Sequence, residues 1–328
     1  MMRNWYIVWV LLAGFLWPSL SLAEEERAGH IDFEPWSFDW EIKDDTGLAL
    51  RNVVFEGKKI LAKASMPVIR VKYDKERHWW NPFSLGGSRE ATGRCGPFQD
   101  RLSWTNIVPI SDCGDKKVCI QSYRHGDTNW LELGIYARIG EYHIYQAWYI
   151  SQDGEIHPLV HSRGLSCNTD HVHHPYWRFD FDIDGNGLDQ AFRYDDGGKD
   201  EGWGSGWHKY TNEVDDTKLP STNRVWFVRD QPTGLGVWVI PGGAYSPLTE
   251  EATARDTFSD LDVAVRRSKR WEDEPWPFAA RGELGYAEEA EGIQEQDIVF
   301  WYVGHLPHIA ALGPTKWLTL GPTLRVQR

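Results

Sequence analysis

The chain has 328 residues and a formal net charge of −13, with 41% hydrophobic and 25% charged residues. That acidity argues against a nucleic-acid or anionic-membrane partner and is compatible with small cationic ligands. The apolar content is ample for the core of one large or two ordinary domains.

At the N-terminus, Arg3 precedes an apolar run from Trp5 to Leu16, and the small-residue stretch Ser21–Ala23 follows before "EEER". The pattern predicts a signal peptide over residues 1–23, export to the periplasm or beyond, and no stable membrane insertion after cleavage. Cleavage would remove one charge, Arg3, changing −13 to −14 and leaving 305 residues. Four cysteines remain, Cys95, Cys113, Cys119 and Cys167. In an oxidising compartment one or two disulfides are expected, with three full pairings open, and the lack of CxxC argues against a zinc ribbon or a thioredoxin-like motif.

From there on, short alternating segments rich in Val, Ile, Tyr, Trp and Phe recur: "LALRNVVFEG", "MPVIRVKYD", "VCIQSYR", "WLELGIYARIGEYHIYQAWYI", "RVWFVRD", "TGLGVWVIPGG" and "DIVFWYVGH". Turn residues separate them, as in "SQDGEI" and "DQPTGLG". This predicts a mostly antiparallel β protein. Residues 195–218, Gly-rich and charged, read as surface loops, and "TEEATARDTFSDLDVAVRRSKRWEDE", residues 249–274, is the best candidate for a helix.

The segment "DHVHHPYWRFDFDIDG", Asp170–Gly185, concentrates the chemistry. Read as a strand, it alternates between two faces. One carries His171, His173, Pro175, Trp177, Phe179, Phe181 and Ile183; the other carries Val172, His174, Tyr176, Arg178, Asp180, Asp182 and Asp184. His171 and His173 can be core histidines bonded to carbonyls, or two ligands of copper or zinc if a third comes from elsewhere. The aspartates mimic the start of an EF-hand loop, but Ala191 stands where the bidentate Glu belongs and a strand precedes the loop. They can form a solvated acidic turn or join a hard, calcium-like cation.

These residues resemble the catalytic domain of copper amine oxidases. "HVHHPYWRFDFDIDG" matches that family's His-x-His segment with its following Arg-x-Asp-x-Asp-x-Asp-Gly. "DIVFWYVGHLPH" is similar to the strand carrying the third copper histidine, seven residues after a Trp: Trp301 points to His308, with His305 as a possible substitute. "GEYHIYQAWYISQDG" is similar to the segment around the tyrosine that becomes topaquinone, which places that precursor at Tyr142; by period two alone Tyr142 is a core tyrosine beside Ile144, Trp148 and Ile150. The resemblance runs from about Gly47 to the C-terminus. It implies a large antiparallel β-sandwich over residues 46–328, preceded by an N-terminal segment, residues 24–45.

For function, the resemblance implies copper held by His171, His173 and His308, a quinone formed from Tyr142, and oxidation of a primary amine by O₂ to aldehyde, with ammonia and H₂O₂ released. Tyr73 matches the tyrosine that hydrogen-bonds the quinone. A second divalent cation, calcium-like, would be held by Asp180, Asp182 and Asp297 with the carbonyls of Phe181 and Ile298. The family register also implies a Cys95–Cys119 disulfide, which leaves Cys113 with Cys167, and a homodimer. The departures are Glu141 and His143 around Tyr142, and Ser84 at the position of the base aspartate in "WNPFSLGG". A serine does not accept a proton as a carboxylate does, so turnover is expected to be weak unless Glu90 or Asp100 acts instead. The alternative is a non-catalytic periplasmic copper-binding protein with Tyr142 unmodified.

Overall fold

The computed structural model describes residues 26–44, 46–73, 98–185, 187–197, 206–242, 254–256, 259–269 and 290–327. The signal-peptide segment, Ser84, Glu90 and Cys95 lie outside them. Among the described residues the chain is an antiparallel sandwich of a ten-stranded and an eleven-stranded sheet.

Across the ten-stranded sheet the order is Ala28–Phe33, Trp36–Lys43, Gly47–Phe55, Lys58–Tyr73, His171–Phe181, Ile298–Val303, Val263–Arg267 and Val214–Asp216. Two short strands add to it: Phe98–Asp100 pairs with Lys58–Tyr73, and Leu306–His308 pairs with His171–Phe181. The eleven-stranded sheet contains the meander Val118–His125, Thr128–Ile139, Tyr142–Ser151 and Glu155–Arg163, joined by Thr323–Gln327 to Gly236–Ile240 and Val225–Asp230. One hydrophobic cluster fills the space between the sheets, with Trp36, Trp148, Trp177 and Trp226 among its fully buried side chains.

Polar cross-links hold the sheets together at fixed points. Trp148 Nε1 donates to the Leu48 carbonyl at 3.0 Å, and Gln146 bonds both the Leu48 carbonyl (2.9 Å) and the Leu48 N–H (3.1 Å). Trp36 Nε1 donates to the Ser151 carbonyl at 2.6 Å. The indole N–H groups of Trp36 and Trp148 each find an acceptor, which offsets the cost of burying them.

The histidine strand, His171–Phe181, is central and has the two faces that its alternation predicts. Trp177, Phe179 and Phe181 enter the main core, whereas Tyr176 joins a smaller cluster with Val68, Val299, Trp301 and Val303 on the opposite side. Its neighbour Lys58–Tyr73 changes parity part-way. Arg178 pairs with Ser65 but Tyr176 pairs with Val68, so Met66 and Pro67 together oppose a single residue. Pro67 has no N–H for the ladder, and a bulge accommodates it. Past the bulge it is Ile69, Val71 and Tyr73 that share the inward face with Pro175, His173 and His171.

Three sequence expectations are overturned. Residues 195–218, read as surface loops, contribute the strands Trp207–Lys209 and Val214–Asp216 where they are described, with Asp216 and Lys218 buried. The helix expected within residues 249–274 is replaced, where that stretch is described, by the strand Val263–Arg267, whose Val263, Ala264 and Val265 are all fully buried. Burial on both faces of a sheet outweighs the helix-forming composition. The disulfide implied by the family register also fails: Cys119 pairs with Cys113, at a Cα–Cα distance of 5.4 Å. A tight turn through Gly114, at φ +69°, brings those two cysteines together. Cys167 is disulfide-bonded as well.

Candidate metal centre

The three predicted histidines converge. His171 and His308 are direct cross-strand partners, and His173 lies two residues along, opposite Leu306. Directly opposed antiparallel residues share a face and hold their Cβ atoms about 5 Å apart. One nitrogen from each ring lies within 4.8 Å of the others, and all three rings are buried. The ring centroids of His171 are 4.9 Å from those of both His173 and His308. His305, the possible substitute for His308, points to the opposite side of the sheet and takes no part.

The donor set suits a transition metal. His171 Nδ1 donates to the Thr169 carbonyl at 2.7 Å, the arrangement that orients metal-binding imidazoles, and this turns Nε2 towards His173 Nε2 at 3.0 Å. Nδ1 of His173 is buried without a hydrogen-bond partner, and the Gly313 backbone bonds the His308 ring. Burial lowers the pKa of all three, to about 4 for His171 and well below the ordinary range for His173. Neutral nitrogen ligands at physiological pH cost no deprotonation on metal binding.

Tyr142 reaches this cluster from the other sheet. It opens the strand Tyr142–Ser151 directly after the turn at Gly140, φ +55°. Its hydroxyl lies 3.0 Å from His171 Nε2 and 2.9 Å from the Tyr73 hydroxyl, which donates to it, and it accepts the Ser166 N–H at 3.1 Å. Its ring stands edge-on to all three imidazoles, at 4.7 Å from His173, 6.0 Å from His308 and 6.1 Å from His171. Tyr73 in turn packs on the His171 ring at 4.4 Å. Burial raises the pKa of both phenols, so both stay protonated at neutral pH. The loop that supplies Ser166 can pass this close because Gly164, φ +136°, has no side chain: a Cβ there would lie 2.4 Å from the Glu141 carbonyl and 2.8 Å from Tyr142 Cα. Of the residues flanking Tyr142, Glu141 is exposed and His143 turns outwards to bond Tyr136.

Asp100 stands on the same inward face as Tyr73. It pairs with Ile69, two positions along from the Phe98–Val71 pair, and the parity past the bulge turns both Phe98 and Asp100 into the sandwich. Burial pushes its pKa up to about 6, and its charge acts on both Tyr73 and Tyr142. Ser166 and Thr169 gave no sequence signal, since each acts through a backbone group.

The acidic set behaves differently. Asp180 is bonded by Arg178 at 3.1 Å, Asp182 by Lys59 at 2.5 Å and Asp184 by Lys58 at 2.7 Å. Among the described residues the carboxylates of Asp180, Asp182 and Asp297 do not form a ligand cluster as the histidines do. They are nonetheless close enough to act on one another: burial, then the charges of Asp182 and Asp180, raise the pKa of Asp297. Asp189, fully buried and unsuspected from the sequence, is pushed up to about 8 by burial and then by Asp297, Asp182 and Asp230, and its Oδ1 has no hydrogen-bond partner. An orphaned oxygen in a group of mutually repelling carboxylates fits a divalent cation.

No protein-family model and no curated protein sequence matches the chain. Solved structures do. A copper-containing benzylamine oxidase from Hansenula polymorpha aligns with a TM-score of 0.68 at 14% identity, over 97% of this chain and 64% of that one. An Aspergillus nidulans amine oxidase gives 0.64 and the Pichia pastoris lysyl oxidase 0.63, each at 14% identity and over 56% of its own length. What they share with this chain is the fold. The chain thus spans less than two thirds of these proteins, and at that identity the chemistry must be argued from its own residues.

Proposed function

We propose that the chain is an exported copper-dependent oxidase of the amine oxidase type, which oxidises a primary amine to an aldehyde with O₂ through a quinone formed from Tyr142. The observation that carries this reading is the placement of the Tyr142 hydroxyl, 3.0 Å from His171 Nε2 and edge-on to three neutral, converging imidazoles. A core tyrosine needs no such neighbours.

His171, His173 and His308 would hold the copper, and their neutral state keeps them ready for it. Copper and the quinone supply the redox chemistry: activation of O₂ and acceptance of the substrate's electrons. Tyr73 and the Ser166 N–H fix the orientation of the Tyr142 ring by donating to its oxygen. Asp100 is the proton acceptor of this reading, because a carboxyl held at about 6 is largely ionised at neutral pH yet more basic than an exposed aspartate. The Cys113–Cys119 disulfide accords with export. Homodimerisation and a calcium-like ion on Asp180, Asp182 and Asp297, assisted by Asp189 and the carbonyls of Phe181 and Ile298, belong to the same proposal.

The test is copper analysis of the protein loaded in air, with a quinone-sensitive redox stain of the denatured chain. Wild type is expected to hold one copper and to stain. His171→Ala, His173→Ala and His308→Ala each lose copper, whereas Tyr142→Phe keeps copper and loses the stain. Copper without any stain in wild type would mark the chain as a non-catalytic copper-binding protein.

A further inference from the structure

Behind the three histidines of the metal centre, on the other face of the same strands, lies a second histidine pair that the proposed chemistry does not use. His174 and His305 are cross-strand neighbours: the register that pairs Tyr176 with Val303 and His173 with Leu306 passes through them. Their Nδ1 atoms are 2.8 Å apart, and both rings are completely buried. His305 Nε2 meets Asp262 Oδ1 at 2.7 Å, and Asp262 is itself fully buried. The far oxygen of Asp262 accepts the Lys218 N–H at 2.7 Å and faces Arg255 Nη1 at 3.3 Å, while its carbonyl accepts the Val303 N–H at 2.8 Å. At the other end, Asp256 Oδ2 lies 3.1 Å from His174 Nε2.

The atoms are strung in a line, and no three of them converge as ligands do. His305 Nε2–H donates to the Asp262 carboxylate, and one proton bridges the two facing Nδ1 atoms of His305 and His174. Burial lowers the pKa of His305, in keeping with a neutral ring. His174 Nε2 faces the Asp256 carboxylate at 3.1 Å, outside hydrogen-bonding alignment. Buried polar groups tied in this way fix one arrangement, because any slip leaves each of them unpaired in a dry interior.

The location of the pair gives that rigidity a use. His174 follows the ligand His173 directly, and His305 lies three residues before the ligand His308 on the next strand. The strand Ile298–Val303 ends at the pair and Leu306–His308 begins just after it. Gly304 and His305 link the two, and one ladder bond, Gly304 N–H to the Pro175 carbonyl at 2.8 Å, spans the gap. Pro175 removes one donor from this stretch of the ladder, so its pair with Gly304 keeps a single bond. Side chains supply the clamp that the backbone lacks there.

We infer that the buried Asp262–His305–His174 relay is a positioning device for the metal centre, which locks the register between the strand bearing His171 and His173 and the strand bearing His308. This rests on the copper reading above. Outer-shell partners of metal ligands commonly govern affinity by 10–100-fold, and here the relay acts through the backbone of the ligand-bearing strands.

Copper dissociation constants, Cu(II) electron paramagnetic resonance and melting temperatures of the metal-free chains test it. His305→Phe keeps the volume and removes both hydrogen bonds; copper should bind about tenfold more weakly, with an altered spectrum. His305→Asn, which retains a polar atom towards His174, should recover part of both. Val68→Ala, in the same small cluster but away from the relay, is the control: it should lower the melting temperature with affinity and spectrum unchanged. If His305→Phe does not fold, Asp262→Asn provides the same comparison. A folded relay variant with wild-type affinity and spectrum overturns the inference, and so does an equal copper loss in Val68→Ala at equal loss of stability. A wild-type chain that binds no copper overturns the metal reading itself and the role of the relay with it.

Discussion

Proton transfer at carbon needs a base of suitable pKa within reach, and Asp100 is the described carboxylate whose charge acts on both tyrosines of the site. Burial raises its pKa to about 6, and in the proposed reaction the ionised form is the acceptor. Turnover is therefore expected to rise with pH through roughly 6 and then level off, since deprotonation creates the acceptor. Asp100→Asn should lower amine-dependent H₂O₂ release about 10²- to 10⁴-fold while copper content and quinone stain persist, and Ser84→Asp should add nothing. Wild-type turnover in Asp100→Asn, or a clear gain in Ser84→Asp, would return the role to the segment around Ser84. The sequence pointed to Asp100 only as one substitute among two. Its placement depends on a strand of three residues, Phe98–Asp100, whose pairing with Ile69 and Val71 no local pattern announces.

At the scale of elements, what could be read from the sequence was what burial alone dictates. A strand with one buried face has its register fixed, because a slip by one residue turns every side chain to the wrong side; hence the alternation through residues 171–183 separated His171 and His173 from Asp180 and Asp182 correctly. Tyr73 was harder, since the bulge at Met66 and Pro67 reverses parity between Ala64 and Ile69 and spacing counted across it misleads. The strand Val263–Arg267 was hidden in a helix-like composition, and the Cys113–Cys119 bond depends on a local turn that a family register does not foresee. The loop before the histidine strand yields a prediction. At Gly164, φ +136°, any Cβ collides with backbone atoms of Glu141 and Tyr142. Gly164→Ala should cost about 1–3 kcal/mol in chemical denaturation and, by displacing the Ser166 N–H from the Tyr142 oxygen, slow quinone formation in copper-loaded protein. Unchanged stability and unchanged quinone yield would mean that the loop does not hold the ring.

For the molecule as a whole, one buried group of carboxylates links the acidity of the chain to its stability. Asp189 has no exposure, and its pKa rises from an ordinary carboxyl value to about 8 by burial and by the charges of Asp297, Asp182 and Asp230. Each unit of such a shift is worth about 1.4 kcal/mol. Because the folded pKa lies above the unfolded one, the neutral form favours the fold; the advantage is complete below about pH 4 and is lost as pH rises through about 8. Without divalent cations this group should lower the melting temperature progressively across that window, and Asp189→Asn, neutral at every pH, should flatten the decline. A cation changes the sign, since it favours ionised carboxylates over neutral ones. Calcium should therefore raise the melting temperature of wild type far more at pH 8 than at pH 5, and much less in Asp189→Asn or Asp182→Asn. Copper content should stay constant throughout, because the imidazoles occupy the other face of the strand. A calcium effect that is independent of pH and survives both substitutions would assign the ion elsewhere; no effect at all would mean that Lys59, 2.5 Å from Asp182, is the permanent counter-charge of this site.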